Sequence, residues 1–176
     1  GGSSASHGLS LIAASITNTG TGNITLSGTS GTPGGTNYGM YIYSGATVST
    51  VNGTLSVSGT SYGSGAGANN YGTFITGAGT SVKTTGTGTL VILGTGGNSS
   101  GTGAGNYGVY IATSAAVSVV NGALLLNGMG SNSSGGTNYG VYVASTVQAT
   151  GTGMILVLGT GGGSGSGASN FGVYIA

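Results

Sequence analysis

The sequence predicts an all-β chain wound into a parallel β-solenoid, and three observations predict it. A glycine-centred motif returns at near-constant spacing. Every unit carries the same three short apolar stretches. The loop between units absorbs most of the variation in length. The motif reads SHGLSL at 6–11, NYGMYI at 37–42, NYGTFI at 70–75, NYGVYI at 106–111, NYGVYV at 138–143 and NFGVYI at 170–175. Its glycines, Gly8, Gly39, Gly72, Gly108, Gly140 and Gly172, lie 31, 33, 36, 32 and 32 residues apart. The loops ahead of the motif hold 8, 10, 11, 9 and 10 residues, which leaves 22 to 25 residues for the rest of each unit. Self-similarity at such a period is the signature of stacked repeats.

The first stretch of each unit follows the motif glycine, as in VYIA at 109–112. The second is centred on Ile16, Val48, Val82, Val117 and Val147. The third reads NITLSG (23–28), TLSVSG (54–59), TLVILG (89–94), ALLLNG (123–128) and MILVLG (154–159). Short β-branched runs bounded by Gly, Ser, Thr and Asn read as strands. A propeller blade needs four strands in about 40 residues, and a sandwich does not require each unit to match the next. A solenoid does, because each residue stacks on its counterpart one coil away. The chain therefore reads as one β-solenoid segment over 1–176, with coils at 8–38, 39–71, 72–107, 108–139 and 140–171 and partial coils at 1–7 and 172–176. It starts and stops inside a repeat: GGSSAS at 1–6 aligns with SGSGAS at 164–169, and VYIA at the end reads as a first strand without a second. That pattern predicts either a window from a longer solenoid or a subunit whose open ends stack on neighbours. The turn before the third strand alternates between GTG (20–22, 86–88, 151–153) and VNG (51–53, 120–122), so a pair of units is the longer repeat.

Strand alternation assigns the faces. In the third strand Ile24/Leu26, Leu55/Val57, Leu90/Ile92, Leu124/Leu126 and Ile155/Val157 point inward. In the first, Leu9/Leu11, Met40/Ile42, Val109/Ile111, Val141/Val143 and Val173/Ile175 do so, with Thr73/Ile75 a weaker match in the third coil. Three columns follow. Asn37, Asn70, Asn106, Asn138 and Asn170 share one turn, with Ser6 in the first coil, and stacked carboxamides can hydrogen-bond from coil to coil. His7, Tyr38, Tyr71, Tyr107, Tyr139 and Phe171 fall on the inward parity near a corner. Ser10, Tyr41, Phe74, Tyr110, Tyr142 and Tyr174 fall on the outward parity. The glycine after each inward aromatic marks either a special backbone conformation or close packing, and the sequence leaves both open.

The outward positions of the third strand change along the chain: Thr25/Ser27, Ser56/Ser58, Val91/Leu93, Leu125/Asn127 and Leu156/Leu158. The later, apolar part reads either as an interface or as a face covered by a loop of the same chain. Together with the outward aromatics, Val91, Leu93, Leu125, Leu156 and Leu158 are the candidate interface.

Composition excludes several functions. The chain has one Lys, no Arg, no Asp, no Glu and a net charge of +1. An ordinary globular chain is roughly 25% charged. One Lys cannot neutralise a phosphate backbone, so nucleic acid is not an expected partner. No apolar run approaches the roughly 20 residues of a membrane-spanning helix. The first ten residues lack the charged start and apolar core of a secretory signal. Acid–base catalysis and glycoside hydrolysis use carboxylates or His, and calcium-binding nonapeptide repeats need Asp. The reading is therefore a non-enzyme with no catalytic residue, metal site or cofactor. His7 stands in the aromatic column, and Lys83 aligns with Thr17, Ser49, Ser118 and Gln148 on an outward position; both read as structural or solvent-facing. Disorder is not expected, because 37% of residues are hydrophobic and they cluster, the opposite of a disordered composition.

The pattern TGTGTLVILGTGG at 85–97 followed by GNYGVYI at 105–111, with its VNG-type partner, resembles repeats of filamentous-haemagglutinin-like and autotransporter adhesins of bacteria. That resemblance implies a right-handed parallel β-helix, secretion to the cell surface, and a role in attachment or matrix, with no shared catalytic residues.

The expected function is thus a structural extracellular filament or adhesin-shaft segment, its partner being further copies or a continuation of itself. Two binding alternatives stand beside it. The outward aromatics are candidates for stacking on surface glycans. Thr17, Thr47, Thr50 and Thr84 are the threonines of an ice-binding reading, although they form no continuous paired column. Asn23, Asn52, Asn98 and Asn132 lie in N-x-[ST] sequons, a weak signal in so Ser/Thr/Asn-rich a chain.

Overall fold

A computed structural model describes residues 5–31, 35–63, 66–97 and 101–176. Asn98 and the first four residues of the GGSSAS stretch lie outside the described residues. Among those described, every regular element is a strand. The first strands of the units are β1 (His7–Ile12), β4 (Tyr38–Tyr43), β7 (Tyr71–Thr76), β10 (Val109–Ile111), β13 (Val141–Val143) and β16 (Val173–Ile175). The second are β2 (Ser15–Asn18), β5 (Thr47–Thr50), β8 (Ser81–Thr84), β11 (Ala116–Val119) and β14 (Thr146–Ala149). The third are β3 (Ile24–Thr29), β6 (Leu55–Thr60), β9 (Leu90–Thr95), β12 (Leu124–Met129) and β15 (Ile155–Thr160).

These form three parallel sheets in strict coil order. The first runs β1-β4-β7-β10-β13-β16, the second β2-β5-β8-β11-β14 and the third β3-β6-β9-β12-β15. The chain is a β-solenoid of about five turns with three strands per coil. Register is like on like: Val48 pairs with Ile16 and Val82, and Leu90 with Leu55 and Leu124. Each coil therefore donates its backbone hydrogen bonds to the equivalent residues next door.

The core is a triangular column of aliphatic side chains. Met40, Ile42, Val48, Leu55, Val57, Ile75, Val82, Leu90, Ile92, Val109, Ile111, Val117, Leu124, Leu126 and Val141 are buried in one cluster, with Leu9, Leu11, Ile16, Ile24, Leu26, Val147 and Val157 packed against it. The expected inward pairs of the first and third strands hold through the middle coils. Thr73 is also buried, and its hydroxyl donates to the Leu93 carbonyl at 2.6 Å, which satisfies a polar group in an aliphatic row. Thr50 and Thr84, paired in register, also point inward. The Thr50 hydroxyl donates to Gly53 O at 2.9 Å, whereas that of Thr84 has no partner.

The motif glycine is resolved in favour of close packing. None of Gly8, Gly39, Gly72, Gly108, Gly140 and Gly172 has a positive φ. A Cβ on Gly59 would overlap the Gly72 carbonyl, and one on Gly94 the Gly108 carbonyl. The glycine closing each third strand thus lies on the backbone that opens the next first strand, and the two glycine columns shut one corner of the triangle backbone to backbone. This second column was present in the sequence as the final G of TLVILG and its equivalents.

The loops stack as well. Thr36 N–H donates to Ala68 O at 3.1 Å, Asn69 to Ala104 at 3.2 Å, Gly105 to Gly136 at 3.1 Å and Thr137 to Ala168 at 3.0 Å. Ser30, Ser61, Ser131 and Ser133 are buried within this layer. The alternating turns have a physical reason too. Asn52 Oδ1 accepts from Thr87 N–H (3.1 Å) and its hydroxyl (3.2 Å), and Asn121 Oδ1 does the same for Thr152 at the same distances. Each VNG turn clamps the GTG turn of the following coil, so the two types alternate.

Candidate functional site: stacked columns and an apolar outer face

The motif asparagines form a buried hydrogen-bonded column. Asn37 donates its backbone N–H (3.0 Å) and side-chain N–H (2.9 Å) to Asn70 Oδ1. Asn70 makes the same pair to Asn106, both at 2.9 Å, and Asn106 to Asn138 at 3.1 and 3.2 Å. The second amide proton turns back into the loop, from Asn106 to Gly103 O (3.0 Å), Asn138 to Gly135 O (2.6 Å) and Asn170 to Gly167 O (2.9 Å). Ser6 enters the column through its backbone N–H on Asn37 Oδ1 at 3.0 Å. The column separates the aliphatic core from the polar loop layer.

The residue before each asparagine has a left-handed backbone: Thr36 (φ 64), Asn69 (φ 61), Gly105 (φ 68), Thr137 (φ 56) and Ser169 (φ 63). That conformation suits Gly and Asn and strains a β-branched residue.

Both aromatic columns are continuous. His7, Tyr38, Tyr71, Tyr107, Tyr139 and Phe171 stack with ring centroids 4.7, 5.1, 5.0, 5.1 and 5.6 Å apart. Tyr41, Phe74, Tyr110, Tyr142 and Tyr174 follow at 5.2, 5.0, 4.8 and 5.2 Å. One expectation is corrected. The first column does not enter the core. Its rings meet the second column edge to face, Tyr38 to Tyr41 at 4.8 Å and Tyr71 to Phe74 at 5.0 Å. The reason lies at the glycine, where alternation breaks: Gly39 packs on the Gly59–Thr60 backbone while Met40 turns into the core, so Tyr38 lands on the side of Tyr41. The outcome is a two-row aromatic layer on the outer side of the first sheet. Burial raises the Tyr38 and Tyr107 phenols to about 12, and pushes Tyr71 up further. The Tyr71 hydroxyl donates to Asn69 Oδ1 at 3.1 Å.

This stacking decides what the layer offers a ligand. A sugar ring stacks on an aromatic face, and within the columns those faces already lie against neighbouring rings. Ring edges and hydroxyls remain.

The third sheet presents a different surface. Thr25, Ser27, Ser56 and Ser58 occupy its outer face in the first two coils, followed by Val91, Leu93, Leu125, Asn127, Leu156 and Leu158. Leu93, Leu156 and Leu158 are 36%, 45% and 46% exposed, and Val91 and Leu125 are half-buried. Among the described residues no loop covers this face. A shallow groove of about 210 Å³ runs beside Asn127, lined by Leu93, Gly94, Thr95, Asn127 and Met129. On the second sheet, Lys83 sits in the outer row between Ser49 and Ser118. That row and its neighbour, Ser15–Thr47–Ser81–Ala116–Thr146, mix residue types and present no threonine column.

Among the described residues no group of His, Cys, Asp or Glu is placed to hold a metal ion. Among the described residues no helix is long and apolar enough to cross a membrane. No known family, no curated protein and no solved structure matches this chain.

Proposed function

We propose that this chain is a structural shaft segment, built to extend along the coil axis and exposed at a cell surface or in a matrix. The supporting observation is the buried asparagine column. Its amides bond to the same residue one coil away and to their own loop, so their capacity is committed to joining coils. The aliphatic, glycine and aromatic columns run along the same axis. Load along such a stack is shared by backbone hydrogen bonds repeated about every 4.8 Å. With almost no charge, the stack needs neither ion pairs nor a particular ionic strength.

The test is electron microscopy and fibre diffraction on the assembled material, together with a glycan-array screen. The shaft reading expects rods with a meridional reflection near 4.8 Å and no selective glycan binding. Selective glycan binding by compact particles that never form rods would overturn it.

A further inference from the structure

We infer that the apolar outer face of the third sheet is a pairing surface for a second copy of this chain, running antiparallel, with Asn127 lying against Asn127 of the other copy. The inference rests on the shaft reading and adds to it a lateral partner and a geometry.

The face is nearly palindromic about Asn127. Leu93 lies one coil before it and Leu158 one coil after, in the same column; Val91 and Leu156 flank Leu125 in the adjacent column. A two-fold axis along the Asn127 strand sets Leu93 against Leu158 and Val91 against Leu156 of the other copy, twice over, as an isologous contact requires. Thr25, Ser27, Ser56 and Ser58 lie on the two strands before these three, outside the apolar patch. Asn127 is the one polar side chain at the centre of this patch. Covered by an apolar surface, its amide would be left unsatisfied. Covered by a second carboxamide, it gains both a donor and an acceptor, and a central Asn fixes register in this way in coiled-coil seams.

Charge admits the same partner, and area sets the strength of the contact. With one Lys and no acidic residue, two copies meet without like-charge repulsion. Three strands of six residues cover about 14 by 20 Å, or roughly 280 Å² per copy, well under the roughly 800 Å² of a standard stable interface. One pair of faces is therefore a weak contact, made lasting by repetition along a shaft.

The chain has no Cys, so single cysteines report the geometry directly. Under mild oxidation Asn127→Cys is expected to yield a covalent dimer, and Ser58→Cys, in the same column two coils earlier, is expected to stay monomeric. Adding Leu158→Asp to Asn127→Cys should abolish the dimer. Equal cross-linking at positions 58 and 127, or none at 127, overturns the inference. If rods and the 4.8 Å reflection persist in that case, lateral pairing fails while the shaft reading stands.

Discussion

The side-chain oxygen of Asn70 accepts two hydrogen bonds from Asn37, one from its backbone N–H at 3.0 Å and one from its carboxamide at 2.9 Å. A single oxygen thus ties main chain and side chain of one coil to the next. The same arrangement recurs at Asn106 and Asn138, and each of these residues is fully buried. A column of Asn side-chain oxygens thus joins successive coils where the core meets the loop layer.

Asn106→Ala should be among the most destabilising substitutions in the chain. It leaves the Asn70 N–H and carboxamide without an acceptor and removes the donors to Gly103 O and Asn138 Oδ1. Each stranded buried group costs about 1–3 kcal/mol, so a loss of at least about 3 kcal/mol is expected in chemical denaturation.

Thr84→Val should stabilise. The hydroxyl is buried and unpartnered, and Val has nearly the same shape. Removing an orphan polar group of this kind gains about 1–2 kcal/mol. Thr50→Val, which loses the bond to Gly53 O, should not share the gain. Thermal unfolding of the two variants separates them.

Gly128→Ala should prevent correct closure of the coil, because the new Cβ would overlap the Gly140 carbonyl, a backbone atom that cannot yield. Losses above about 4 kcal/mol mark this class of defect. Gly20→Ala is the control: its Cβ meets nothing nearer than Asn18 Oδ1 at 3.7 Å. Circular dichroism and proteolysis of the pair should show damage in the first alone.

Thr36→Asn should stabilise by about 0.5–1 kcal/mol, since it relieves a β-branched residue in the left-handed region. The following coil already holds Asn69 there, in contact with the Tyr71 hydroxyl.

Stability should vary little from about pH 4 to 9, where His7 is the one side chain that titrates. Its pKa is lowered by burial, so the unfolded chain protonates first and acid removes only a small contribution. The alkaline limb is steeper. Unfolded tyrosines ionise near 10, while Tyr38 and Tyr107 hold their protons to about 12. Between those values the unfolded state loses protons that the folded state keeps, so stability falls as pH rises. Urea midpoints across this range should be flat and then drop.

Much of this architecture was legible in the sequence because a solenoid repeats its own contacts. The inward pairs of the first and third strands, the Asn37-to-Asn170 column and both aromatic columns follow from alignment of the units. What was not legible was three-dimensional. Alternation put Tyr38 on the core side, but a glycine that turns against another strand resets the phase, and the ring lands outside. The packing role of the closing glycines of the third strands was not legible, because their partners, the motif glycines, lie opposite them only in the folded coil. The loops, variable in length and Gly/Ser-rich, gave no sign of stacking, because their order comes from backbone bonds that any residue can make. The exposure of Leu156 and Leu158 depended on whether a loop crossed them, which no local pattern encodes.

The claim beneath all of this is that each residue sits on its counterpart one coil away, and a pair of introduced cysteines tests it most directly. Ser118 is opposite Gln148 in the outer row of the second sheet. Neighbouring strands lie about 4.8 Å apart, within the span a disulfide bridges, whereas a partner offset by two residues lies about 8 Å away, beyond it. Ser118→Cys with Gln148→Cys should form an intramolecular disulfide in the native chain, and Ser118→Cys with Thr146→Cys should not. A disulfide in the offset pair alone, or in neither, would contradict the stacking register.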